Sequence, residues 1–311
     1  MAKPRNKVSD YLQYLGLRIF EMFVRMFPPR VNYTTAAFIG NMLFYFDRRH
    51  RERGIEHLRR SFPDWSDRKL RRTAKASMRS MLYLGLEVLL TPDLMTPSRW
   101  RRHVTFINQE ANLKQLLRQR RGAIYVTGHF GNWEVTGYTM ATVGFPVYAV
   151  ARPLDNPYLN EHILGVRERT GMTILDKKGV AEQVDDILDA HGAISFIADQ
   201  DAGRKGCFVD FFGRKASTYK SIALIAMRHE VPILVGFGRR MSRDFQFEIG
   251  ICRIIDPTEW ADKDDPMTWI TQEYTTALEN IIRTAPEQYL WVHRRWKHRP
   301  KNEPPAPDGI A

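Results

Sequence analysis

After residue 100 this chain alternates short apolar runs with helical stretches, and that alternation limits its fold more than any other feature. Runs at 122–127, 146–151, 172–175, 193–198, 231–237 and 245–254 have the length and composition of strands. Around them, 109–119, 132–142, 157–170, 179–190, 217–229 and 267–284 read as helices. Strands separated by helices pair in parallel with helices on both faces, so the expected class is α/β with a mostly parallel sheet. The last two runs are joined by a short polar link and predict a hairpin. No internal repeat is visible.

In sheets of this kind ligands gather outside the carboxyl ends of the strands. The run 122–127 ends directly before Gly128 and His129, and Asn132 follows as the expected cap of a helix whose first turn holds Glu134. A neutral imidazole suits proton transfer from an alcohol near pH 7, and a carboxylate on its other nitrogen would fix its tautomer. His129 and Glu134 are therefore the expected base and orienter, and Asn132 a substrate-binding candidate. Neither Ser nor Cys lies in this segment, so the base is expected to activate a hydroxyl on a substrate. The alternative is a structural histidine beside a helix start.

Two further strand ends carry charge. Arg152 follows the run 146–151, where a guanidinium would stabilise an oxyanion or hold a phosphate, close to His129 if the two strands are neighbours. Asp199 and Asp201 end the run 193–198 and, two apart, are expected to point to the same side. Orienting a polar acceptor and simple salt bridging both fit them. Nothing near them repeats the ligand spacing of a zinc site, so no metal is expected. Phe208, Phe211 and Phe212 fit the wall of an acyl pocket or ordinary core, and 291–299 mixes aromatic and basic residues without an acid.

Residues 1–95 read as a basic, helical lead-in broken at Pro28-Pro29 and near Phe62-Pro63-Asp64, 96–301 as one α/β domain, and 302–311 as a disordered tail. The stretch 11–27 is apolar enough to suggest a membrane span, but Arg18, Glu21 and Arg25 interrupt it at helical spacing. A helix lying flat in a membrane interface is expected, with packing on the protein's own core as the alternative. Residues 47–79 hold twelve Lys or Arg against five Asp or Glu. With a net charge of +12 and a pI near 9.8 the chain favours an anionic partner. Two cysteines, Cys207 and Cys252, make no disulfide framework and point to a reducing compartment, and no cleavable signal pattern is present.

The hexapeptide 129–134, His-Phe-Gly-Asn-Trp-Glu, resembles the H-x-x-x-x-D/E signature of glycerolipid acyltransferases. Its form is that of the lauroyl/myristoyl lipid A acyltransferases and the related phosphatidylinositol mannoside acyltransferases. Arg152-Pro153 with Asn156-Pro157, then 198–201, 211–213 and 289–296 agree in the same order, so the similarity spans most of the chain. The resemblance implies a glycerolipid-acyltransferase-like α/β fold with a membrane-associating helical region. It also implies functional roles for Arg152 and Asp199, a lipid reading of 291–299, and no nucleic acid partner. The expected activity is O-acyl transfer at the cytoplasmic face of the inner membrane, by a peripheral or monotopic protein. Acyl-CoA or acyl carrier protein would be the donor, an anionic glycolipid or lysophospholipid the acceptor, and no cofactor would be needed. A thioesterase using the same pair, and a non-enzymatic basic protein that binds membranes or nucleic acid, are the competing readings.

Overall fold

A computed structural model describes residues 6–107, 122–142, 144, 146–151, 153–169, 171–176 and 180–301. The helix expected at 109–119, the tail 302–311 and Arg152 lie outside the described residues. Four helices open the chain: α1 (Lys7–Met26), α2 (Pro29–Phe46), α3 (Arg48–Ser61) and α4 (Asp67–Leu94). The expected breaks fall between α1 and α2 and between α3 and α4. A further break at Asp47 arises because its carboxylate caps α3 by accepting from the His50 N–H.

Beyond them lie β1 (Val104–Ile107), β2 (Ala123–Thr127), α5 (Trp133–Thr142), β3 (Val147–Ala151), α6 (Pro157–Arg169), β4 (Met172–Asp176), α7 (Val180–Asp189) and β5 (Ala193–Ile197). Then come β6 (Cys207–Phe211), β7 (Arg214–Thr218), α8 (Ser221–His229), β8 (Ile233–Ser242), β9 (Gln246–Ile255) and α9 (Pro266–Thr284). Seven strands form one sheet in the order β1-β9-β8-β2-β5-β3-β4. β8, β2, β5, β3 and β4 run parallel, and β8 with β9 make the expected antiparallel hairpin. β6, which carries Phe208 and Phe211, and β7 form a separate two-stranded ribbon, so the helix expected from 217 starts at Ser221.

β2 is buried along its whole length, as a central strand with both faces covered must be. Its side chains alternate. Ile124 and Val126 pack with α7, α8 and α9 through Leu188, Ala223 and Tyr274, while Ala123 and Tyr125 pack on the opposite face with Met140 of α5. Helices therefore flank both faces.

One topological fact decides the site. β5 lies between β2 and β3, so β2 and β3 are not neighbours, and β3, the strand that precedes Arg152 in sequence, stands one place further from β2 than expected.

Candidate active site

β2 and β5 pair in parallel with Thr127 opposite Ile197. Continuing each chain by two residues brings His129 and Asp199 side by side. His129 Nδ1 lies 2.7 Å from Asp199 Oδ1, and the His129 backbone N–H donates to Oδ2 at 2.8 Å. An ionised carboxylate only accepts, so Nδ1 carries the proton and Nε2 keeps its lone pair. Consistently, the side-chain amide of Gln200 sits with its nitrogen 3.2 Å from Nε2. Burial pushes the Asp199 carboxyl up, but the His129 imidazole and backbone N–H outweigh it and hold the pKa below the ordinary carboxylate value.

The turn carrying His129 is fixed by its glycines. Gly131 has φ +58°, and a Cβ there would stand 1.9 Å from the Gly238 carbonyl oxygen. That closeness lets the Asn132 N–H donate to the same carbonyl at 2.7 Å, fastening the turn to β8. A Cβ on Gly128 would crowd the Asp199 carboxylate at 3.2 Å. On the other side a strap formed by 286–298 crosses the turn, with Leu290 N–H donating to the His129 carbonyl at 3.1 Å and the Ser77 hydroxyl of α4 to that of Tyr289. The Trp133 ring meets the imidazole edge-on at 4.8 Å, and the His293 ring lies parallel to it at 6.3 Å. Met81, Leu84, Trp133 and Leu290 line a narrow apolar slot beside His129.

Glu134, expected on the imidazole, is held elsewhere. Its two oxygens receive Arg167 Nη2 at 2.5 Å and Nε at 3.0 Å, from α6. The reason is direction: Glu134 lies in the first turn of α5 facing α6, whereas Asp199 arrives from the adjacent strand end in line with Nδ1. Asn132 caps α5 as expected, Oδ1 accepting the Val135 N–H at 2.9 Å, but its Nδ2 donates to Glu87 Oε2 at 2.9 Å. The side chain is fully buried, so the structure assigns it to a network under the turn and not to substrate. Glu87 also receives both Arg240 Nε and Nη2 and, at 2.6 Å, the Tyr33 hydroxyl.

Asp199 and Asp201 part company, because Asp201 Oδ2 lies 2.6 Å from His298 Nδ1. In the segment 291–299, Trp291, Arg295 and Trp296 are core residues. Arg295 ties the Asp199 loop to β7 through the carbonyls of Gln200 and Ser217 and the Thr218 hydroxyl. Phe211 and Phe212 are likewise core, stacked among Phe62, Trp291 and Trp296. Among the described residues no cluster of three His, Cys, Asp or Glu stands ready to hold a metal ion.

Gln200, His293 and the His129–Asp199 pairing escaped the sequence reading. A signal was present for the pairing: 123–129 and 193–199 both begin Ala-Ile, and each places its chemical residue at the seventh position. What was missing was the knowledge that these two strands are neighbours.

A strand-end imidazole with one nitrogen held by a carboxylate and the other meeting a neutral side-chain amide is equipped to take a proton from a hydroxyl that displaces that amide. The profile of the bacterial lipid A biosynthesis acyltransferases matches residues 2–298. The lipid A biosynthesis lauroyltransferase of Escherichia coli (strain K12) is 26% identical over 303 residues, 94% of each chain. The lipid A biosynthesis palmitoleoyltransferase of the same strain is 27% identical over 304 residues, 94% of this chain and 93% of its own. On a match that runs from the lead-in helices through the strap, the chain belongs to the bacterial lipid A biosynthesis acyltransferase family and is an acyltransferase.

Proposed function

We propose that this protein moves a fatty acyl chain from an acyl thioester, acyl-CoA or acyl carrier protein, to a hydroxyl of a lipid A-type acceptor, with His129 as general base and Asp199 as its orienter. The 2.7 Å contact between His129 Nδ1 and Asp199 carries the assignment, because it leaves Nε2 as the acceptor for a substrate proton. Nε2 takes that proton as the hydroxyl oxygen attacks the thioester carbonyl carbon. Collapse of the tetrahedral intermediate breaks the C–S bond, and the imidazolium returns its proton to the departing sulfur. Arg152 is proposed for the oxyanion or a substrate phosphate on its place in the sequence alone. Glu134 contributes by tying α5 to α6 through Arg167, and the slot of Met81, Leu84, Trp133 and Leu290 suits the first carbons of an acyl chain.

The same reading puts the protein on the cytoplasmic face of the inner membrane. α1 supports it by being inside out. Its buried positions are Asp10, Glu21 and Val24, while Leu12, Ile19, Phe20, Phe23 and Met26 stand in the open. No helix among the described residues is long and apolar enough to cross a membrane, which favours a helix lying in the interface.

Purified His129→Ala and Asp199→Asn proteins, with wild-type circular dichroism, should each lose about 10²- to 10⁴-fold in acyl transfer, the range for a general base and its support. Undiminished transfer in both would sink the mechanism. Free fatty acid in place of acylated lipid, with acceptor present, would select a thioesterase.

A further inference from the structure

A second cleft opens beside the slot at His129. Ser80 and Gln288 line both, so the two share a wall. The second encloses about 200 Å³, many times what one water needs. Part of its lining is already engaged. Arg240 is paired with buried Glu87, and the Gln288 side chain accepts the Arg240 N–H and donates to the Arg240 carbonyl, both at 2.9 Å.

The rest of the lining is rich in donors that lack acceptors. Arg79 of α4, half-buried, and Arg243, exposed on the β8–β9 turn, both line the cleft, and neither guanidinium makes an ion pair or hydrogen bond among the described residues. The Arg79 stem is held against α2, where a Cβ on Gly40 would stand 2.9 Å from Arg79 Cγ. Tyr83, one turn further along the same face of α4, is 8% exposed, and its hydroxyl makes no hydrogen bond among the described residues. The Ser80 hydroxyl accepts from Arg240 Nη1 at 2.9 Å, which leaves its own proton to donate. Two guanidinium groups and two hydroxyls thus line one cavity with no acceptor of their own. An anion with several oxygens satisfies that set, and phosphate matches the arginine fork best.

One acid shares the lining. Glu287 is exposed and makes no ion pair among the described residues. It opposes a bare anion but accepts from a hydroxyl, so the lining favours a phosphate carried on a hydroxylated body such as a sugar. The lead-in marks the side of approach. Arg30, at the start of α2, donates to Asp244 at 2.8 Å and so ties the turn carrying Arg243 to the helices whose apolar side chains stand in the open. Met241, 54% exposed in the cleft lining, adds to that apolar surface.

We propose that this cleft binds the phosphorylated sugar of an anionic glycolipid acceptor. Arg79, Arg243 and the hydroxyls of Ser80 and Tyr83 take the phosphate, Glu287 takes a sugar hydroxyl, and the wall of Ser80 and Gln288 leads from there to His129. Assigning the phosphate to the acceptor rests on the acyl-transfer reading; the sugar-phosphate cleft itself does not. Acyl-CoA and acyl carrier protein also carry phosphate, and the test separates these sources.

Thermal unfolding of the full chain reads the cleft without turnover, using glucose 1-phosphate, inorganic phosphate, glucose and sodium chloride at matched ionic strength. Wild type and Arg71→Gln, an exposed arginine elsewhere on α4, should show a saturable rise in Tm with glucose 1-phosphate, a smaller one with inorganic phosphate and none with glucose or chloride. Arg243→Gln should weaken glucose 1-phosphate binding by about tenfold or more with the ligand-free Tm unchanged. Arg79→Gln, which keeps the carbons packed on Gly40, should do the same. Glu287→Ala should narrow the preference for glucose 1-phosphate over inorganic phosphate. A wild-type response to glucose 1-phosphate no greater than that to chloride would overturn the proposal, as would arginine variants that bind it as wild type does.

Steady-state kinetics then name the source. In Arg243→Gln, KM for the phosphorylated acceptor should rise about tenfold or more while kcat and the thioester KM hold. A rise for the thioester alone would give the phosphate to the donor and overturn the acceptor assignment, as would no change in either KM.

Discussion

The imidazole of His129 has one nitrogen spent and one in reserve, and the Asp199 carboxylate sets which is which. Replacing Asp199 by Asn removes the obligatory acceptor and lets Nδ1 become the lone-pair nitrogen, turning the proton toward Nε2. In ¹⁵N-resolved spectra of the His129 ring, wild type should show a protonated Nδ1 and Asp199→Asn a mixture or reversal. Glu134→Gln should leave that tautomer unaltered, because Glu134 belongs to Arg167. If Glu134→Gln perturbs the His129 tautomer and Asp199→Asn does not, the pairing described here is wrong. The sequence made His129 legible through its place at a strand end and made Asp199 legible as a second such end. It did not pair them, because neighbouring strands are chosen by tertiary packing and β5 is the third strand after β2 in the chain. Proximity in sequence favoured Glu134, yet five residues spanning a turn and a helix start point their side chains to different sides.

Two element-level devices hold this turn in place, and both titrate or carry charge. Glu87 of α4 is fully buried and accepts from four donor atoms of three residues: Arg240 of β8 through two nitrogens, the Tyr33 hydroxyl and Asn132 Nδ2. Glu87→Gln leaves Arg240 a buried cation without its counter-ion, and chemical denaturation should show a loss of about 3–5 kcal/mol. Replacing the pair with Leu and Met should not restore it, since Tyr33 and Asn132 would still lack an acceptor. His57 of α3 is the second device. Its Nδ1 faces the Trp291 carbonyl at 2.8 Å, and burial lowers its pKa from 6.5 to about 4. The folded protein thus resists a proton that the unfolded chain accepts below pH 6.5. Stability from His57 is complete above pH 6.5 and declines as the pH falls toward 4, by up to about 3 kcal/mol. Tm measured across that window should fall less steeply in His57→Gln, which keeps a donor but does not titrate; an unchanged slope would exclude His57 as the cause. Periodicity found the strands from β2 to β5 and the β8–β9 hairpin because each is apolar and bounded by turns. It missed β6 and β7, a ribbon outside the main sheet whose β7 residues, Arg-Lys-Ala-Ser-Thr, carry little apolar signal. β1 is only four residues long and sits at the sheet edge, too brief to show a period.

Across the whole molecule the charged and apolar surfaces of the lead-in are reversed from those of an ordinary packed helix. α1 turns Glu21 inward to His162 at 2.6 Å and links Arg25 to Asp93, so two of the charges that argued against a membrane span are paired within the protein. Phe20 and Phe23 are left 52% and 50% exposed, and α2 continues the apolar surface with Phe38, Met42 and Phe46, the last 76% exposed. On the proposed function an exposed apolar face of this extent would be the membrane contact, and the basic residues of 47–79 would favour an anionic surface. Co-sedimentation with vesicles containing anionic phospholipid should therefore show two separable contributions. Phe20→Ser with Phe23→Ser removes two aromatic side chains worth about 1.5–3 kcal/mol each when fully buried, so binding should weaken at least tenfold without change in circular dichroism. High salt should weaken binding of wild type and variant alike by screening the basic face, leaving the aromatic contribution in place. If the double variant binds as wild type does and salt alone releases both, the apolar face is not the membrane surface and attachment is electrostatic only.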